Sequence, residues 1–368
     1  MMKKKVLVVV GTRPEAIKMA PLINLLKKQD WVDCRVLATA QHRQLLDQVF
    51  EIFGIEADID LDVMRPNQSL PELTSRLLTL LDVVLKDEQP DVVLAQGDTT
   101  TVMAVAMACF YRRIKFGHVE AGLRTGDMDN PFPEEMNRIV AGRLANWHFA
   151  PTENSRQNLI NEGFATEEIH VTGNTVIDAL LDVVQRCDED APSVGVGRRL
   201  VLVTSHRREN FGAPFREICQ AVRALVENNS DIEVLYPVHP NPNVREVAYE
   251  LLGGVERVTL CEPLDYLPFV AAMKSAYLIM SDSGGVQEEA PALGKPVLVL
   301  RNETERPEAV KEGVVKLVGP NSDAILLEAQ RLLDDPDYYQ SIARGVSPYG
   351  DGYASQRIVE ILRGATKV

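Results

Sequence analysis

The 368-residue sequence has no apolar run near the ~18 residues that a membrane-spanning helix needs. A leader peptide is also missing from the reading. The lysines at 3–5 are followed by a short apolar stretch that runs into Gly11-Thr12-Arg13-Pro14, with no small-residue cleavage site, and that stretch reads as a first buried strand. Cysteine is sparse: Cys34, Cys109, Cys187, Cys219 and Cys261 are scattered, odd in number and without a CxxC pair. Neither a disulfide framework nor a zinc site is expected from them, and a reducing, cytoplasmic location fits. Positive charge is in deficit, with a net charge of −14, which argues against nucleic acid and anionic membrane surfaces as main partners. A GxxxxGK[ST] loop is absent, which counts against an ATPase, and no repeat or low-complexity tract appears.

What is present is an ordinary globular composition, 45% apolar and 25% charged, in a chain longer than a single core usually sustains. Two domains are therefore expected. Short Val/Leu/Ile-rich runs alternate with segments of helical period, the pattern of βαβ units and a parallel sheet. Strands are predicted at 6–10, 35–38, 92–95, 116–119 and 147–150 in the first half. The second half repeats the pattern at 200–204, 233–236, 257–260, 277–280, 297–300 and 315–317. Between them, residues 187–197 are acidic, then Pro- and Gly-bearing, and make the best linker. The predicted organisation is a domain over 1–186, a second over 198–353, and a last helix in 354–368.

In doubly wound folds, ligands bind at the carboxyl ends of strands, and the polar strand exits are the informative segments here. Gly11-Thr12-Arg13-Pro14 opens a helix, where backbone amides and the helix dipole suit an anion and Arg13 and Lys18 suit a phosphate; a plain turn with solvated cations is the alternative. Asp98 follows the third strand, and Glu120 emerges from an apolar run where a carboxylate needs a reason to be. Glu134 sits at a helix start, an ordinary place for an acid. Three acids from successive loops converging at one sheet edge would suit general acid and base work. In the second half, His206-Arg207-Arg208 leaves a strand and suits a phosphate or a leaving-group oxygen. Ser283-Gly284-Gly285 between strand and helix lets amides approach phosphate closely, yet it is not GxGxxG, so a nicotinamide cofactor is not indicated. Glu289 lies one turn further in, suited to ribose hydroxyls, and Phe269 is a candidate for stacking a base or for the core.

Taken in order, GTRPEAIKMAP (11–21), AQHRQLLDQV (40–49), GDTTT (97–101), GHVEAGLRTGD (117–127), PFPEEMNR (131–138), HRREN (206–210), SDSGGVQEEAP (281–291), TERPEAV (304–310) and PYGDG (348–352) resemble the non-hydrolysing UDP-N-acetylglucosamine 2-epimerases. The resemblance runs over nearly the whole chain. It implies an α/β GT-B fold: two Rossmann-like, doubly wound parallel-sheet domains, an interdomain cleft, and a C-terminal helix returning to the first domain. It also implies reversible conversion of UDP-GlcNAc to UDP-ManNAc with no external cofactor or metal. UDP leaves in an anti elimination after loss of the C2 proton, and is added back to 2-acetamidoglucal with a proton on the other face.

By the same resemblance, Arg13, Lys18, His206, Ser283, Gly284, Gly285 and Arg306 surround the diphosphate. Glu289 takes the ribose and Phe269 the uracil, while Asp98, Glu120 and Glu134 handle protons. A second UDP-GlcNAc site that activates the bacterial enzymes maps onto Gln41, His42, Gln44, Gln68, Arg207 and His239, and a homodimer is expected. A GT-B glycosyltransferase and a non-catalytic nucleotide-sugar sensor are the competing readings. Neither has use for three convergent carboxylates.

Overall fold

The opening strand is valine-rich and buried along most of its length, as β-branched residues covered on both faces of a sheet should be. A computed structural model describes residues 3–39, 43–65 and 67–365. The chain divides into two compact units, one comprising Met1–Ala179 with Tyr349–Val368, the other Leu180–Pro348.

In the first unit, β1 (Lys4–Val10), β2 (Val32–Ala38), β3 (Ile59–Asp60), β4 (Val92–Gln96), β5 (Lys115–Val119), β6 (Trp147–Ala150) and β7 (Ile169–Val171) alternate with helices. These are α1 (Arg13–Lys27), α2 (Arg43–Phe53), α3 (Leu70–Glu88), α4 (Thr100–Arg112), α5 (Glu134–Leu144), α6 (Glu153–Asn161) and α7 (Thr175–Val184). The sheet order is β3-β2-β1-β4-β5-β6-β7, parallel throughout. After β1 the chain winds one way, and from β4 it winds the other. The loops leaving β1 and β4 therefore part, which opens a crevice at the carboxyl edge of the sheet. One core cluster joins Leu7, Val9 and Val93 of the sheet to Leu77 and Leu81 of α3 and to Val102 and Val105 of α4.

The second unit carries β8 (Arg199–Thr204), β9 (Ile232–Pro237), β10 (Val258–Cys261), β11 (Leu278–Ser281), β12 (Val297–Val299) and β13 (Val315–Leu317). Its helices are α8 (Ala213–Asn228), α9 (Pro242–Leu252), α10 (Tyr266–Ser275), α11 (Gly284–Glu289), α12 (Pro307–Lys311), α13 (Ser322–Asp334) and α14 (Pro336–Ile342). The order β10-β9-β8-β11-β12-β13 repeats the same device, with the switch between β8 and β11. Its core is sealed by α8, whose Phe215, Ile218, Val222 and Leu225 face Val201 and Val203 of the central strand.

The units part inside α7, upstream of the acidic stretch that the sequence marks as a linker. Within that stretch Asp188 is held, accepting from Lys274 Nζ at 2.5 Å. The chain returns at Tyr349, and its last helix, α15 (Ala354–Ala365), packs on α1 in the first unit. Asp178 of α7 fixes that return by accepting from the amides of Ala354 and Ser355 at 3.2 and 2.7 Å.

Candidate active site

At the switch of the first sheet, the exit of β1 turns at once into α1. Thr12 caps the helix and Glu15 answers it: the Glu15 carboxylate accepts from the amides of Gly11 at 2.6 Å and Thr12 at 3.3 Å. The amides read from the sequence as an anion cradle thus already hold the chain's own carboxyl group, and Pro14 has no amide to offer. An incoming phosphate is left the Arg13 side chain, which is half-buried and has no ion pair among the described residues. Burial drives the Glu15 carboxyl up to about 7, against the pull of those two amides.

Lys18, one turn further along α1, is not free for a phosphate either. Its Nζ donates to Glu120 Oε2 at 2.5 Å, and Gln96 Nε2 donates to the same oxygen at 3.0 Å. Glu120 itself stands just past β5 with φ of 62°, a left-handed backbone that a glutamate adopts only under constraint. Its side chain is nearly buried.

Asp98 follows Gly97, whose φ of 87° suits glycine alone and aims the loop leaving β4. His118 steadies that glycine: its Nε2 lies 2.7 Å from the Gly97 carbonyl oxygen. Burial lowers the imidazole to about 4, so it is neutral and donates this bond through Nε2–H. The Asp98 carboxylate meets the guanidinium of Arg138, and Asn137 Nδ2 donates to the Asp98 carbonyl at 2.9 Å. Arg138 also donates to Glu135 at 2.9 Å. Glu134 opens α5 one turn before Arg138, on the same helix face, half-buried and with no ion pair among the described residues. Thus α5 docks on the loop of Asp98 and carries Glu134 with it.

The second unit builds its own switch. Asp282, fully buried after β11, gathers the loop leaving β8 by accepting from Ser205 Oγ at 2.7 Å and from the amides of His206 and Arg207 at 2.9 Å. His206 is half-buried; burial lowers its pKa, Asp282 opposes this, and Arg207 and His239 add to the lowering. The rings of His206 and His239 stack with centroids 5.7 Å apart. Beyond Asp282, Ser283 precedes α11, whose first amides, at Gly284 and Gly285, have no acceptor within their own helix. Both glycines have ordinary helical φ. A Cβ at Gly284 would meet only an Arg207 nitrogen at 3.7 Å, and one at Gly285 only Ser283 Oγ at 3.8 Å.

Glu289 ends α11 and is buried; Phe269 in α10 is half-buried, while its neighbour Val270 lies in the core. Arg306, like Lys18, is already engaged, its Nε on the Glu288 carboxylate. Gln68 accepts from the amide of Arg65 at 2.9 Å, while its Nε2 is buried with no partner among the described residues. His239 is exposed. Gln41 and His42 lie outside the described residues, as does the side chain of Gln44 in α2. Sequence reading passed over Glu15, His118, Glu135, Arg138 and Asp282. Only Glu15 carried a signal of its own, the Thr-x-x-Glu capping pattern. Among the described residues no cluster of His, Cys, Asp and Glu has metal-binding geometry, and no helix is long and apolar enough to cross a membrane.

A family model described as UDP-N-acetylglucosamine 2-epimerase matches residues 24–363. The UDP-N-acetylglucosamine 2-epimerase of Salmonella typhimurium is 53% identical over 369 residues, 98% of each chain, and that of Escherichia coli K12 is equally similar. A crystal structure of the Neisseria meningitidis UDP-GlcNAc 2-epimerase bound to UDP-GlcNAc superposes with a TM-score of 0.90 at 48% identity, covering 98% of this chain and all of that one. The two parallel-sheet units are those of this GT-B-like fold.

Proposed function

Since the chain belongs to the UDP-N-acetylglucosamine 2-epimerase family and is an isomerase of UDP-GlcNAc, we propose that its two units divide the work on this one substrate. The second unit grips UDP through Ser283, Gly284, Gly285 and His206, with Glu289 on the ribose and Phe269 on the uracil. The first unit supplies Asp98, Glu120 and Glu134 to the sugar, with Arg13 and Lys18 toward the diphosphate. The observation that carries the reading is the pair of glycines opening α11. Helical glycine is destabilising by roughly 0.5–1 kcal/mol relative to alanine, and no described residue fills the room a side chain would take. Bare amides at a helix start are suited to phosphate oxygens.

In the proposed reaction one carboxylate takes the C2 proton, and the electron pair forms the C1=C2 bond of 2-acetamidoglucal. The C1–O bond breaks and its pair leaves with UDP. Return of UDP to C1, with a proton delivered to the opposite face of C2, gives UDP-ManNAc. Arg13 and His206 hold the charge that grows on the leaving diphosphate. Lys18 and Arg306 become available to it only as they share or release Glu120 and Glu288.

Incubation with UDP-GlcNAc in D₂O tests this directly. UDP-ManNAc with deuterium at C2, seen by NMR, is the expected product; UDP-ManNAc retaining its C2 proton refutes the elimination. Asp98→Asn, Glu120→Gln and Glu134→Gln are each expected to lower turnover by several orders of magnitude while UDP still binds, and near-normal turnover in any one removes its role.

A second UDP-GlcNAc molecule is proposed as activator, at Gln41, His42, Gln44, Gln68, Arg207 and His239. With UDP-ManNAc alone, a lag relieved by trace UDP-GlcNAc supports it, and equal rates refute it. A homodimer is proposed too, and light scattering gives its mass. The five unpaired cysteines fit the cytoplasm as the proposed location.

A further inference from the structure

A wholly buried carboxylate is expensive unless its oxygens are filled and its charge is met. Asp282 fills its oxygens from a single short stretch, the loop leaving β8. Oδ2 accepts four bonds: Ser205 Oγ at 2.7 Å, the His206 amide at 2.9 Å, the Arg207 amide at 2.9 Å and Asn210 Nδ2 at 3.1 Å. Oδ1 accepts only the His206 amide, at 3.1 Å, and lies 3.5 Å from His206 Nδ1. No lysine or arginine donates to this carboxylate among the described residues. Arg207 Nε donates instead to the Asp282 main-chain carbonyl, at 3.4 Å. The two oxygens thus do different things: one holds the loop together, and the other is left to the imidazole.

We propose that Asp282 is a positioning residue for the epimerisation: its Oδ1 holds the His206 ring with Nδ1 inward and Nε2 free for the diphosphate, and meets the positive charge when that ring is protonated. The inference rests on the reading of His206 given above. Asp282 touches no substrate atom and exchanges no proton. It acts by fixing which nitrogen faces the substrate and by opposing the other influences on the ring. Those influences are burial itself, the Arg207 guanidinium and the stacked His239, all of which disfavour a charged His206. In the neutral ring the proton sits on Nδ1, donated toward Oδ1, so that Nε2 presents a lone pair. In the charged ring Nε2–H donates to a phosphate oxygen.

The test separates this role from mere support of the loop. Asp282→Asn removes the charge, whereas Asn210→Ala removes one donor to Oδ2 and keeps the carboxylate facing the ring. The sequence has only six histidines, and burial lowers His118 and His148 to about 4 and about 3. Nitrogen-15 spectra of the full chain are therefore simple, and His206→Gln identifies the signal. Asp282→Asn is expected to lower kcat at least tenfold with KM for UDP-GlcNAc within about threefold, and to move the His206 titration down by roughly one pH unit. Asn210→Ala is expected to leave that titration in place.

Equal losses of kcat in both variants with an unmoved titration overturn the proposal, because Asp282 is then only a structural hub. Should Asp282→Asn fail to fold, the wild-type spectrum decides alone: a neutral His206 carrying its proton on Nε2 overturns the assignment, and one carrying it on Nδ1 supports it. Full activity in His206→Gln would instead remove the earlier reading of His206, an outcome distinct from either.

Discussion

Gly285→Ala sets fold against function at a single methyl group. In the free protein the added Cβ meets only Ser283 Oγ, at 3.8 Å, an ordinary contact. The backbone there is already helical and the residue is exposed. Alanine should thus stabilise α11 by roughly 0.5–1 kcal/mol, by reducing the freedom of the unfolded chain. For a unit of this size that raises the melting temperature by about 1–4 °C. The same methyl group occupies the space in which the proposal puts a phosphate oxygen. Losing one hydrogen bond to a charged group is worth ~1.5–3 kcal/mol, about 10- to 150-fold in UDP affinity. Differential scanning calorimetry without ligand and titration calorimetry with UDP measure the two halves. The reasoning predicts opposite signs: more stable, weaker binding. Unchanged UDP affinity would refute the phosphate assignment, and a lower melting temperature would refute the claim that the fold has no need of this glycine.

Gly11→Ala should behave in the opposite way, because its Cβ would stand 2.8 Å from Thr39 Oγ1 and 2.9 Å from Thr101 Oγ1. A loss of about 1–3 kcal/mol in urea unfolding is expected, from overpacking alone. Arg138→Met leaves the buried Glu135 without its cation and frees Asp98, so a loss of about 3–5 kcal/mol is expected together with a collapse of kcat. Unfolding midpoints and turnover check both parts. Glu15 carries a pH signature. Its carboxyl is raised from 4.5 to about 7 in the folded state, so between those values the unfolded chain gives up a proton that the folded chain keeps. Stability therefore falls as pH rises through that window, by up to roughly 3 kcal/mol, and is not regained above it. Glu15→Gln removes this slope, so the variant's stability relative to wild type should climb from pH 4.5 to 7. Parallel curves in urea melts at several pH values would refute the buried-acid account.

The sheets were legible because their central strands, β1, β4, β8 and β11, are buried on both faces and stand out as continuous apolar runs; every strand of more than three residues falls on an expected one. The edge strand Ile59–Asp60 and the terminal strand Ile169–Val171 went unseen, being too short to show any period. Candidate site residues stand out where polarity breaks an apolar run, as at Glu120 and Asp98. Partners that arrive from elsewhere do not. Arg138 lies forty residues from Asp98 and Lys18 lies 102 from Glu120, and no local pattern announces such meetings. Hence Lys18 and Arg306 read as open cations, although each sits on a carboxylate. The two compact units meet within a helix, at Ala179 and Leu180, and not in the loop that composition marks.

The return of the chain at Tyr349 has a consequence for synthesis. All seven strands of the first sheet have been made by Val171, yet α15, which packs on α1 and buries Ile358, Val359 and Leu362, is encoded after the entire second unit. At roughly 5–20 residues per second, a ribosome takes on the order of ten seconds or more to bridge that gap. During that time the nascent first unit holds a finished sheet with one apolar helix face bare. The strands of the second unit are all made within that interval, and the bare face is an aggregation liability until α15 emerges to cover it.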